Sequence, residues 1–273
     1  MTNRAARTLD LPSGATPFRS RDGQLCTAVR IAGATCQALI DTGSKGHVVD
    51  PRISKRFPRV GKSVLRGVLG SVPTVRVQLP AVTFLGHRFT GLTAKVGPPT
   101  RRSNPAWDLL LGTDVLLWRP LTLDFRRRVA CFEAGTLATE PEEVFRLRYH
   151  RGRPFLTVKL GRKTLRATLD IGCSSCLLNS RVRGIRACVV KTDVAVDVAG
   201  RRSRWTSYRG PALDLGRGAM GKSRFVRASL APAEKGLGQP VDFVVGSNVL
   251  RERGGVWTIS RIPGELRWSS GVS

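Results

Sequence analysis

The chain has 273 residues, enough for two domains of about 100 to 150 residues that each bury a core. Hydrophobic residues at 41% with 29 glycines and 16 prolines mark a globular chain and exclude a disordered one, and 6% aromatics are too few for a wide base-stacking surface. The 46 Lys+Arg against 19 Asp+Glu give a net charge of +27, which would attract an acidic or nucleic-acid partner, yet the bases lie in short scattered runs and read as a solvated surface.

The first segment, Met1 to Arg21, is polar and Arg-rich and lacks the apolar core of a signal peptide. No apolar run reaches the roughly 18 residues of a membrane helix, so the expectation is a soluble, cytoplasmic protein with no membrane segment. Residues 1–23 are set aside as an N-terminal tail. Strand-like alternation then leads through Val29 and Ile31 to an apolar run that ends in Ile40-Asp41-Thr42-Gly43-Ser44. That run delivers an aspartate at a tight turn, where glycine permits close backbone approach and neighbouring hydroxyls can bond a carboxylate.

Further along, Lys62 to Gly70 carries Gly67 and Gly70. Leu110-Leu111-Gly112 reads as a buried strand, and Gly112-Thr113-Asp114 as the start of a brief helix that Asp114 could cap and Pro120 would stop. Leu121-Thr122-Leu123 and Phe132 follow. The acidic stretch Glu133 to Glu143, with Gly135 and Pro141, has the composition of a linker and sets a boundary near residue 140.

Beyond it the same series returns. Leu165 to Cys173 repeats Cys36 to Ser44, with Asp170 on Asp41 at an offset of 129 (170 − 41), Ala167 on Ala38 and Leu169 on Ile40. Val194 to Tyr208 lies at the place of Lys62 to Gly70 in the second copy, with Gly200 and with Trp205 and Tyr208 as aromatic residues for substrate or packing. Val244-Val245-Gly246-Ser247-Asn248 repeats Leu110 to Asp114 at an offset of 134 (246 − 112), so a loop insertion lies between. Trp257-Thr258-Ile259 and Trp268 close the copy.

Two Asp-x-Gly turns, each followed by an apolar-apolar-Gly element, resemble the aspartic peptidases, and the Gly-Thr-Asp-Val-Leu and Gly-Ser-Asn-Val-Leu segments resemble retropepsins most. The resemblance covers nearly the whole chain from residue 24. It implies an all-β, bilobal acid-protease fold of two duplicated retropepsin-like lobes, 24–139 and 140–273, with a short helix in each. It also implies an endopeptidase in which Asp41 and Asp170 activate a water for attack on an extended polypeptide. Thr42, Gly43, Ser44, Ile171, Gly172 and Cys173 would support the pair, and Gly67, Gly70, Gly200 and Tyr208 would form flaps over the substrate. No metal or cofactor is implied, and a monomer suffices for the site.

The second copy departs from the family at two places. Ile171 stands where Thr or Ser usually locks the two aspartate loops together, and Cys173 stands opposite Ser44 with a thiol that is a weaker donor. From this, Asp41 is expected to be the better-supported carboxylate. The alternative is a catalytically impaired pseudo-peptidase that acts as a basic peptide- or nucleic-acid-binding module. The six cysteines are expected to be reduced, and the lone Cys173-Ser-Ser-Cys176 is a weak zinc or redox signal. His47 lies near Ser44 and Asp41, but no Gly-x-Ser-x-Gly elbow accompanies it, and His87 and His150 enter no site.

Overall fold

The structure is a computed structural model that describes residues 14–98, 107–132, 140–216 and 218–271. Residues 1–13 of the expected tail and 133–139 of the expected linker lie outside the described residues. The chain is all-β, with strands broken by four short helices among the described residues. Two of these, Thr113–Leu116 and Ser247–Arg253, follow the glycines as expected. Their cap residues, however, are Gly112 and Gly246, so Asp114 and Asn248 lie one residue into the first turn. The first of them ends at Leu116, short of Pro120. Pro51–Ser54 and Ala231–Leu237 are additional helices.

Each aspartate ends a strand held between two others. Leu109–Leu111 runs parallel to Ala34–Ile40, pairing Leu110 with Leu39, and antiparallel to His47–Val49. Phe243–Gly246 runs parallel to Lys163–Asp170, pairing Asp170 with Gly246, and antiparallel to Cys176–Asn179. Strands flanked on both sides and covered on both faces need apolar side chains throughout, which is why these segments read as runs and not as alternation. Leu109, Leu111, Ile40, Leu169, Phe243 and Val245 are all fully buried, each worth about 1.5–3 kcal/mol of transfer free energy.

The two halves are joined by a sheet built from their ends. Leu121–Asp124 pairs antiparallel with Val256–Ser260, Thr122 facing Thr258 with their hydroxyls 2.9 Å apart. Val129–Phe132 and Glu265–Ser269 flank this pair. Outside them lie Thr16–Arg21, which carries the sheet on to Gln24–Ile31, and Glu143–Arg146, which forms its edge. Residues 16–21, set aside as tail from the sequence, are therefore a paired strand. Polar Arg-rich alternation hid it, because only Phe18 of that strand is buried.

The two expected hairpins are present. Arg59–Arg66 pairs with Ser71–Gln78 and turns through Gly67 to Gly70, whose backbones bond at 2.8 Å. Cys188–Val196 pairs with Arg202–Asp214 and turns through Asp197 to Arg201. No helix among the described residues is long and apolar enough to cross a membrane.

Candidate functional site: two carboxyls between interlocked loops

The loops Asp41 to Ser44 and Asp170 to Cys173 interdigitate so closely that each glycine has the other loop's carboxyl where a side chain would go. A Cβ on Gly43 would stand 2.3 Å from the Asp170 carboxyl carbon, and one on Gly172 would stand 2.5 Å from that of Asp41. Both glycines are thus fixed by contact and not by backbone conformation. The two carboxyls are half-buried and hydrogen-bond each other.

Backbone amides hold the carboxylates. Asp41 Oδ1 accepts from the Gly43 and Ser44 amides at 2.8 and 3.1 Å. Asp170 Oδ1 accepts from the Cys173 amide at 3.0 Å. The Ser44 hydroxyl instead donates to the Gly46 carbonyl at 2.8 Å, and the Cys173 thiol donates to the Ser175 carbonyl at 3.0 Å. Serine and cysteine therefore play the same local part, and the thiol's weakness as a donor does not touch the carboxyl.

Thr42 joins the loops. Its fully buried hydroxyl donates to the Leu169 carbonyl at 2.8 Å and accepts from the Ile171 amide at 3.0 Å. Ile171 has no hydroxyl to return the bond and is fully buried in the core. The lock is one-sided, as the residues implied.

Behind each loop a glycine of the flanking strand passes under the turn. A Cβ on Gly112 would lie 2.2 Å from the Gly46 carbonyl oxygen, and one on Gly246 would lie 2.5 Å from that of Ser175. The Gly112 amide donates to His47 Nδ1 at 3.2 Å, and the Gly246 amide to Cys176 Sγ at 3.5 Å. Burial pushes the His47 pKa down to about 4 and the Cys176 thiol up to about 12, so both are neutral acceptors under the turns. His47 is thus occupied structurally and not bonded to Ser44. The six cysteines are free thiols.

Arg153 was not singled out from the sequence, where it is one of 46 cationic residues. Its Nε donates to the Gly43 carbonyl at 2.8 Å, and its guanidinium acts on both carboxyls. Burial raises the Asp41 carboxyl well above the ordinary range, the neighbouring Asp170 charge and hydrogen bond adding to it, against the Gly43 and Ser44 amides. Asp170 is also raised by burial, but the bond from Asp41, the Cys173 and Gly172 amides and Arg153 all oppose the rise. Both carboxyls are thus pushed up by burial. As the groups are coupled, their titration belongs to the pair.

Gly67, Gly70 and Gly200 lie at the hairpin turns. Tyr208 does not join them: its ring stacks on Phe225 at 6.1 Å, with the Arg227 guanidinium 5.8 Å away. Trp205 is partly buried against the cluster around Phe155 and Val244. No curated protein matches the chain. Residues 27–115, the segment that carries Asp41 and the strand beneath it, match the family model described as aspartyl protease, and this match supports an aspartic protease family, with a peptide as the implied substrate.

Proposed function

We propose that the chain is a two-lobed aspartic endopeptidase, with lobes of about residues 24–139 and 140–273, and that Asp41 and Asp170 are its catalytic pair. The observation that carries this is the reciprocal seating of each carboxyl against the other loop's glycine, with one hydrogen bond between the carboxyls. Two acids held this close cannot both ionise cheaply, so they share a proton over a wide pH range.

In this reading a water sits between the carboxyls. Ionised Asp170 takes a proton from the water as its oxygen attacks the peptide carbonyl carbon, and Asp41 gives its proton to the carbonyl oxygen. The resulting tetrahedral diol collapses as the nitrogen receives a proton from Asp170 and Asp41 recovers one from a hydroxyl. The C–N bond breaks, and the initial protonation state is restored. The intact backbone support of Asp170 favours activity over the impaired alternative, although Ile171 leaves the lock one-sided.

The test is cleavage of a diverse peptide library from acid to neutral pH, with competition by a hydroxyl-bearing mimic of the tetrahedral state. Turnover that the mimic blocks is expected. Binding of the mimic without turnover would leave a peptide-binding pseudo-enzyme.

Arg153 gives a sharper expectation. A cation beside the pair favours its anionic forms, so Arg153→Ala should move both limbs of the pH profile to higher pH, whereas Arg153→Lys should keep them closer to wild type. Profiles of kcat/KM against pH decide it; an unmoved profile would leave Arg153 a structural part through its bonds to the Gly43 and Gly236 carbonyls.

A further inference from the structure

The tips of the two hairpins cross, and the polar contacts between them come from one side. Asp197 Oδ2 accepts from the Leu69 amide at 2.9 Å, while its other oxygen accepts from the Arg201 amide at 2.9 Å and so braces its own turn. The Arg201 guanidinium donates to the Ser71 carbonyl at 3.0 Å. The first hairpin thus offers only backbone, and the second brings both charged side chains.

The glycines of the first tip are accounted for by these side chains. A Cβ on Gly67 would stand 2.1 Å from Asp197 Oδ2, and one on Gly70 would stand 2.8 Å from Arg201 Nε. On the other tip, a Cβ on Gly200 would stand 2.8 Å from Pro98 Cγ. The apolar tip residues cross as well. Val68 packs on the cluster of Phe155, Leu237 and Val244 in the second half, the same cluster that Cys173 of the aspartate loop packs on. Val198 packs on the cluster of Cys26, Leu39 and Leu110 in the first half.

We propose that Asp197 and Arg201 are positioning residues that clamp the two hairpins into one lid, which parts to admit a peptide and closes again over it. The peptide part of this rests on the reading of Asp41 and Asp170 as the reacting pair; the clamp itself does not. A hydrogen bond with one charged partner is roughly twice as strong as a neutral one, and both the Leu69 and the Ser71 contacts are of this kind. The clamp is specific to the second hairpin, since Gly67 faces it where a second acid would repel.

Hydrogen exchange at the Leu69 amide, measured without substrate, reads the clamp directly. Asp197→Ala should speed that exchange about ten-fold or more, and Asp197→Asn, which keeps an acceptor oxygen, should fall between it and the wild type. Asp197 sits at a partly exposed hairpin turn outside the core, so these variants keep the fold. In peptide cleavage Asp197→Ala should raise KM about ten-fold with kcat changed much less. Unchanged Leu69 exchange in Asp197→Ala, or a KM that falls because the clamp only obstructs entry, would overturn the proposal. If the wild type cleaves nothing, the reaction reading fails while the exchange experiment still decides the clamp.

Discussion

Asp41→Asn and Asp170→Asn are each expected to lower peptide cleavage by about a thousand-fold or more while the fold persists. An asparagine keeps the shape and still accepts from the Gly43 and Ser44 amides, or from Cys173, but it can neither hold the shared proton nor take one from water. Stability should not fall with activity. A carboxyl whose pKa is raised by burial favours the folded state while protonated, and that contribution is lost as pH rises through the raised value. Removing one of two such groups therefore relieves a cost at neutral pH. Parallel measurement of cleavage and of the denaturation midpoint checks both halves of the expectation. Equal loss of stability and activity would mean that the pair is structural, and turnover that survives either substitution would remove that residue from the reaction.

Thr42→Val should be the costliest conservative change near the site. Valine matches threonine in shape but leaves the buried Leu169 carbonyl and Ile171 amide without the partner that now serves both, at about 1–3 kcal/mol each and about 2–6 kcal/mol together. That is a large share of the 5–15 kcal/mol by which domains are commonly stable. Because Ile171 supplies no hydroxyl, nothing on the other side compensates. Thr42→Ser, which keeps the oxygen, should recover most of the loss. Denaturant midpoints at constant slope measure the difference. A Val variant as stable as wild type would show that water replaces the hydroxyl and that the halves are held mainly by the joining sheet.

The strands and both aspartate turns were legible in the sequence because each is set by local chemistry: apolar runs where a strand is covered on both faces, glycine where backbone passes close to another chain segment; the hairpins were expected from the family resemblance alone. The pairing of Asp41 with Asp170 was legible because the series around each repeats. Less was readable elsewhere. Residues 16–21 form a strand held between Gln24–Ile31 and Val129–Phe132, and its mostly exposed Arg-rich residues carry no apolar pattern. The cap falls on Gly112 and not Asp114, and the first helical amides, Thr113 and Asp114, find their acceptors in the Ser44 and Lys45 carbonyls instead of a capping side chain.

What the sequence determined by itself is the inventory of the site: two acids at glycine turns, one threonine, and an isoleucine where a second hydroxyl would stand. How the two carboxyls are held was decided only by tertiary structure. The sequence suggested the side chains next to them. In the folded chain those side chains turn to nearby carbonyls, and the carboxyls are held by backbone amides and faced by Arg153, a residue of the second half that reaches Gly43 in the first. The clamp of Asp197 and Arg201 on Leu69 and Ser71 is of the same kind. Such contacts join residues far apart in the chain, and among so many arginines no local pattern marks the ones that make them.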